Sequence, residues 1–408
     1  MRILFVTARP PWPGFRGDQA RPAGWIRHLA SRHEIRVVAQ RWPGFPKTGV
    51  PESEAALGVE LVPVDISRPR LAWAAGKAGF TGLLSSRRPL QVGLFRQRTF
   101  YREIERQVEI FRPDVAVVLL SRLGDMVPAL GDVPVVLDFV DALALNMAHR
   151  AELDRRLGFV WRRESRSFQG WDPEVLSRIQ LGTVVAERDR RSILDAVPPE
   201  LQEQTAAKLK VLPFGLDLPD ALPKVQAESR PRMILTGNLG YFPTVDGALW
   251  LAEHVWPEVH RRRPDAVWQL AGSRPSAALG RLAERPGIEL IENPPDLEPV
   301  RRGAAVSIAP LRSGSGTPIK ILEAIASGVP VLTTVKGQEG LDEIPPGAVA
   351  VSDGAEEWIE VLCERLGGPG GDRTAVETAW AWLKDRHDLA RLSGRFESLL
   401  VDLAKNWA

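Results

Sequence analysis

Across residues 312–334, RSGSGTPIKILEAIASGVPVLTT, one cation, one carboxylate and a run of small residues stand at spacings that suit anion binding. Gly314, Ser315, Gly316 and Thr317 let a backbone approach an oxyanion closely and turn its N–H groups toward it. Thr317 reads as an N-cap and Pro318 as a first helical residue; the helix then runs to Ser327, where Gly328 and Pro330 stop it. Its positive end adds to the attraction for an anion. Lys320, in the first turn, opposes that dipole by roughly 0.3–1 kcal/mol, a conflict that a bound anion removes. Glu323 follows three residues later on the same face, where it can accept hydrogen bonds from a ribose diol while Lys320 meets phosphate. Arg312 supplies a second cation. An ordinary loop followed by a solvated Lys–Glu pair fits the same residues, so context has to decide.

That context is a strand over 304–309 before the loop and another over 329–333 after the helix. Upstream, strands at 233–236, 267–271 and 288–291 alternate with helices from 245 to about 262, from 275 to 284 and near 296–302. The amino-terminal half repeats the pattern, with strands at 3–6, 35–39, 59–64, 115–120, 133–139 and 182–186. Strands alternating with helices predict an α/β protein with mostly parallel, doubly wound sheets. In such sheets ligands bind at the carboxyl ends of strands. Gly14 and Gly17 follow the first strand, and Asp138 and Asp141 end a later one. Either aspartate can contact a ligand or cap the next helix. No G-x-G-x-x-G follows a strand, which argues against a nicotinamide or flavin dinucleotide.

The proline-rich stretch from Lys210, KVLPFGLDLPD and then ALPKVQAESRPR, marks a domain boundary. It gives domains 1–215 and 216–389, with a closing helix at about 390–408 packing back on the first.

A chain of 408 residues, 44% hydrophobic and 25% charged, has the composition of a soluble protein with real cores. A net charge of +2 is too small to argue for nucleic acid. The single cysteine, Cys363, excludes an internal disulfide and a cysteine metal site and suits a reducing cytoplasm. No apolar run is long enough for a signal-peptide core or a bilayer span, which leaves only the membrane surface as a lipid contact. Between 151 and 168, Arg155, Arg156, Arg162, Arg163 and Arg166 alternate with Leu153, Leu157, Phe159, Trp161 and Phe168. This pattern fits an anionic membrane, a charged acceptor, or a packed helix with a solvated face.

Three segments carry a resemblance: VLPFGLDLP at 211–219, GNLGYFPTVDGALWLAEHVWPEVHRRRPDAVWQLAGSRP at 237–275, and APLRSGSGTPIKILEAIASGVPVLTT at 309–334. Together with PPWPGFRGDQARPAGWIRHLA near the amino terminus, they resemble glycosyltransferases of the GT-B fold. The likeness is to family 4 of the retaining enzymes, in a branch with exopolysaccharide sugar transferases. The resemblance implies two Rossmann-like domains facing each other across a cleft. It also implies a metal-independent transfer of sugar from a nucleoside diphosphate sugar to an acceptor hydroxyl, with no tightly bound cofactor. Lys320 would then bind the donor diphosphate and Glu323 the ribose.

This chain departs from the family pattern at three places. Ser315 stands where many members carry a sugar-binding Glu, Asn238 near the place of an Arg, and Val140 near that of a His. Gly316 and Thr317 are left to meet the sugar through backbone N–H groups, and Asp138 and Asp141 become the candidates beside Val140. The branch implies a lipid-linked saccharide as acceptor, with a natural-product aglycone as the other candidate, in the cytoplasm or at the inner membrane face. Two other readings remain open: another enzyme of this fold, such as a nucleotide-sugar epimerase or a phosphorylase, and a non-catalytic scaffold of a glycosylation complex.

Overall fold

The computed structural model describes the chain except residues 13–16, 45–48, 70–71, 73–75, 77–87, 155, 224–229, 315, 369–372 and 408. It divides into two compact units, Met1–Gly215 with Leu389–Ala408, and Leu216–Asp388. Among the described residues no helix is long and apolar enough to cross a membrane.

The first unit holds seven parallel strands: β1 Arg2–Thr7, β2 Glu34–Arg41, β3 Glu60–Asp65, β4 Val115–Leu119, β5 Val135–Val140, β6 Leu181–Val184 and β7 Leu209–Val211. Their spatial order is β3-β2-β1-β4-β5-β6-β7. Alternate residues of β1 feed two cores. Leu4 and Val6 pack on one face with Phe100, Phe168 and Trp171. Ile3 and Phe5 pack on the other with Trp25, Leu392 and Phe396. Burial on both faces is why these strands read as continuous apolar runs.

The helix Leu389–Trp407 belongs to this second face, its Phe396 ring lying 5.0 Å from that of Trp25. The helix is interrupted at Asp388, which separates it from Arg373–His387 of the other unit. At the break, Leu216 donates its N–H to the His387 carbonyl at 2.8 Å.

The second unit holds β8 Arg232–Asn238, β9 Val267–Ser273, β10 Ile288–Glu292, β11 Val306–Ala309, β12 Val331–Thr333 and β13 Ala350–Val351. They are parallel, in the order β10-β9-β8-β11-β12-β13. Both sheets therefore reverse direction of winding once, between β1 and β4 in the first and between β8 and β11 in the second. Two Rossmann-like units result.

The helix expected from 245 to 262 is two, Phe242–His254 and Trp256–Arg262, with the chain turning at Val255. Pro257 explains the break, because it has no N–H for the preceding turn and its ring crowds that turn's carbonyl. Short β13 lay outside the expected strands, its two residues giving no period to recognise.

Beneath the carboxyl end of the first sheet, Arg21 of the helix Gly17–Leu29 is 3% exposed. Its Nε donates to Asp138 Oδ2 at 2.6 Å, Nη1 to the Pro213 carbonyl and Nη2 to the Leu212 carbonyl, both at 2.8 Å. One side chain thus ties the first helix to β5 and to the end of β7. Removing one partner of a buried ion pair costs roughly 3–5 kcal/mol, while replacing both with apolar groups is often near neutral. Arg21→Leu should lower the first unit's unfolding free energy by about that amount, read from urea denaturation. Arg21→Leu with Asp138→Leu should recover most of it; a single variant as stable as the wild type would refute the role.

Candidate functional site

The switch point of the second sheet is built by the residues just beyond β8 and β11. β11 runs parallel to β8 with Val306 opposite Met233, so the turn after Asn238 and the loop after Ala309 emerge side by side. Asn238 Oδ1 accepts the N–H of Gly240 at 3.0 Å, a short polar turn that points the chain into the helix Phe242–His254.

Beyond β11, strand β12 anchors the loop. Thr333 Oγ1 donates to the Ala309 carbonyl at 2.8 Å, and Thr334 Oγ1 donates to that of Leu311. Gly314 and Gly316 then take φ of 113° and 86°, conformations that L side chains rarely adopt. Ser315, expected among the ligand contacts, lies outside the described residues, as does Gly14. Thr317 and Gly316 are half-buried.

The helix that follows is Ile319–Ala326, with Pro318 rather than Thr317 at its N-cap and no side-chain cap bond. This corrects the expected start: Pro318 takes φ −77° and ψ 84°, outside helical geometry, so the helix begins one residue later. The first-turn N–H groups consequently lack a side-chain acceptor at the cap.

Lys320 reaches from this helix across to β8. Its Nζ donates to Thr244 Oγ1 at 2.9 Å. Gly237 takes φ 121°, a conformation that L side chains rarely adopt, and a Cβ there would lie in ordinary contact with Lys320 Cε at 3.6 Å. Burial pushes the Lys320 amine down to about 8, with the neighbouring Glu323 carboxylate opposing the shift. Glu323 is itself raised by burial, while Arg301 and Lys320 draw it down. Arg301, 7% exposed, donates from Nη1 to Glu323 Oε2 and from Nε to Ser327 Oγ, both at 3.2 Å. Ser327 Oγ in turn donates to the Glu323 carbonyl at 3.0 Å. Lys320 and Glu323 are therefore a cation and a carboxylate on one helical face, each held by a partner from elsewhere in the unit.

Arg312 is exposed and turned toward Asp246 at 3.9 Å and the Trp250 ring at 5.9 Å, both on the helix after β8. Among the described residues no group of histidines, cysteines and carboxylates is placed to hold a metal ion.

The sequence singled out Lys320, Glu323 and the glycines, and the structure gathers them with Asn238 and Arg312 around one sheet end. Arg301 and Thr244 went unrecognised. Arg301 sits 22 positions from Glu323 in a five-residue helix, Glu298–Arg302, and carried no local signal. Thr244 lies inside the quoted stretch GNLGYFPTVDGA, which was its only signal.

In the first unit the two aspartates part company. Asp138 is fully buried, with Oδ2 on Arg21 and Oδ1 accepting the Val140 N–H at 3.1 Å. The expectation of a sugar contact there gives way to a structural one, since both oxygens are committed inside the fold. Val140 takes φ 65°, unusual for a β-branched residue, and the register of β5 on β6 slips at this point. Asp141, half-buried just beyond, accepts from Asn146 Nδ2 at 2.9 Å. Burial raises its pKa against that hydrogen bond and the charge of Arg122. Neither aspartate caps the next helix: Asp189 Oδ1 accepts the Ala142 N–H instead. Gly17 opens the helix that carries Arg21.

Residues 230–367 match the family model described as glycosyl transferases group 1. Comparison with curated protein sequences finds no significant match. Solved structures share the fold along nearly the whole chain. Sucrose-phosphate synthase from Thermosynechococcus elongatus is 11% identical with a TM-score of 0.69, covering 99% of each chain. The α,α-trehalose-phosphate synthase (UDP-forming) from Burkholderia xenovorans, in complex with glucose-6-phosphate, is 14% identical at 0.65, over 98% of this chain and 100% of that one. Anabaena Alr3699/HepE, in complex with UDP and glucose, is 12% identical at 0.64, over 98% and 100%. The fold is therefore GT-B, and with the group 1 domain in its second unit the protein is an enzyme of the glycosyltransferase class.

Proposed function

We propose that the protein moves a sugar from a nucleoside diphosphate sugar to an acceptor hydroxyl, with retention of anomeric configuration and without a metal ion. The observation that carries this reading is Lys320, a partly desolvated amine at the switch point of the second sheet with Glu323 three residues on. Solved structures of the same fold include one in complex with UDP-glucose.

In this reading the acceptor oxygen bonds the anomeric carbon as the bond from that carbon to the diphosphate oxygen breaks, and the hydroxyl proton leaves with the diphosphate. Negative charge grows on the leaving group. Lys320 and the N–H groups opening the helix Ile319–Ala326 stabilise it from a dry, fixed position, the arrangement in which such charges act most strongly. That supplies the countercharge a metal would otherwise bring. Gly314, Ser315, Gly316 and Thr317 form the loop around the diphosphate, with Arg312 and Asn238 at its rim. Glu323 accepts from the ribose diol, oriented by Arg301. Gly17 and Asp141 are the proposed ligand contacts of the first unit. The acceptor class is a lipid-linked saccharide or a natural-product aglycone, met in the cytoplasm, and no tightly bound cofactor takes part.

A thermal-shift screen against nucleoside diphosphates and their sugars should single out one base, since a ligand that binds only the folded state stabilises it by mass action. With that donor, Lys320→Ala should lower kcat by about 10²–10³-fold, the usual effect of removing one charge-stabilising donor. Unchanged kinetics in a folded variant would sink the assignment. Glu323→Gln and Arg301→Gln should each weaken nucleoside diphosphate binding by about tenfold, a lost charge-assisted hydrogen bond, and leave inorganic diphosphate binding as it was. Calorimetry that shows equal losses for both ligands would remove the ribose role.

The pH dependence has a definite sign. The free site binds an anion best with Lys320 charged, so nucleoside diphosphate affinity should hold below pH about 8 and fall by up to tenfold per unit above it. Folding responds oppositely: between about 8 and 10.5 the unfolded chain holds the proton that the native lysine has lost, so stability contributed here rises with pH. An affinity profile flat to pH 10 in the wild type, or one that still declines in Lys320→Met, would contradict the assignment.

A further inference from the structure

The helix Gly158–Ser177 of the first unit has one face in the core, where Phe168, Trp171, Val175 and Leu176 are buried, and another that the fold leaves uncovered. Phe159, Arg162, Arg166 and Gln169 are all exposed, and their spacing places them along one ridge of the helix. At the amino-terminal tip of that ridge Phe159 is 66% and Leu157 47% exposed. Arg156 is exposed beside them.

Of the nearby acids Glu152 is exposed, while Asp154 and Glu164 are engaged within the unit. Asp154 accepts the N–H groups of Arg156 and Leu157, at 3.1 and 3.0 Å, and the Trp161 Nε1–H at 3.0 Å. Glu164 is buried, taking the N–H groups of Leu90 and Gln91 and the Arg163 guanidinium. No carboxylate among the described residues pairs with Arg156, Arg162 or Arg166. Arg150 adds a further cation, its guanidinium 3.7 Å from the Trp161 ring centroid.

The tip is also pre-ordered. The three bonds to Asp154 fix the turn that presents Leu157 and Phe159, so little conformational entropy remains to be lost when it is covered. A solvated helix face needs neither an exposed Phe nor an exposed Leu, and a phosphate-reading nucleic-acid surface needs no aliphatic tip. Apolar groups between guanidinium groups match an interface with acyl chains below and phosphates above, and arginine suits phosphate through its planar fork. From this charge and shape complementarity we propose that Leu157, Phe159, Arg156, Arg162 and Arg166 dock the first unit onto the surface of an anionic bilayer. This inference does not depend on which sugar, nucleotide or acceptor the enzyme uses.

Sedimentation of the full chain with sucrose-loaded vesicles tests it, comparing phosphatidylcholine alone with phosphatidylcholine containing one-third phosphatidylglycerol. The protein should pellet with the anionic vesicles, remain in solution with the neutral ones, and be released by high salt. Each arginine contributes about fivefold in partitioning at an anionic surface, so Arg156→Gln/Arg162→Gln/Arg166→Gln should reduce binding by about a hundredfold. Phe159→Ser should reduce it by about tenfold through lost apolar burial. Both variants should keep the wild-type circular dichroism and melting midpoint, since these side chains are exposed. Absent binding, equal binding to both vesicle types, or unchanged binding of the folded triple variant would overturn the proposal. So would a concentration-dependent dimer that Phe159→Ser abolishes with no vesicle binding, which would assign the patch to a second copy of the chain.

Discussion

Everything at the candidate site depends on the parallel pairing of β11 beside β8 in the second sheet. That pairing is where winding reverses, so the helices after the two strands diverge to opposite faces and leave an opening between their starts. Lys320 fills it from one side and Thr244 from the other, meeting at 2.9 Å. The constraint then spreads outward. β12 must lie against β11 for Thr333 and Thr334 to pin the loop, and Gly237 at φ 121° brings the end of β8 past Lys320. A slip of one residue between β8 and β11 would turn the alternating side chains to the wrong faces and separate these partners together.

The two units handle buried charge in opposite ways. In the first, Arg21 is given a carboxylate and two carbonyls, so its charge is matched inside the fold and it serves as a joint. In the second, Lys320 is given a hydroxyl, which accepts a hydrogen bond but carries no countercharge. Its lowered pKa records burial, which the Glu323 carboxylate on the same helix offsets only in part. A cation left short of charge by its own fold is the group with most to gain from an anion. The same reasoning separates Asp138 from Asp141, since the first is paired directly with Arg21 while the second accepts from the Asn146 amide and feels the charge of Arg122.

Much of this was legible in the sequence, and the parts that were not share a cause. The glycine loop, Lys320, Glu323 and both sheets announce themselves through local pattern: spacing on one helix, apolar runs of strand length, turn residues between them. Arg301 and Arg21 could not be seen because their partners lie 22 and 117 residues away, and nothing in a short window distinguishes an arginine that will be buried from one that will be solvated. For Asp138 the position at a strand end is a local fact, while its engagement by Arg21 is a tertiary one. The break at Val255 was different. Pro257 is a local signal in its own right, and the apolar spacing continues through it even though proline cannot continue a helix.

Comparing the switch points of the two sheets carries the argument one step further. Both sheets wind the same way, so both offer an opening at the carboxyl ends of their central strands, yet the residues that line the openings differ in sign. The second has glycine backbone, helix N–H groups and a lysine short of countercharge. The first has Asp18 already paired with Arg9, Asp138 paired with Arg21, and Asp141 raised in pKa by burial with Asp18 adding to the rise. A phosphate would gain little there, because the guanidinium groups of Arg9 and Arg21 are already engaged by carboxylates. Duplicating one winding pattern and changing which charges are left unmatched is enough to give the two sheet ends different chemistry, a buried amine beside glycine backbone in one and carboxylates engaged by guanidinium groups in the other.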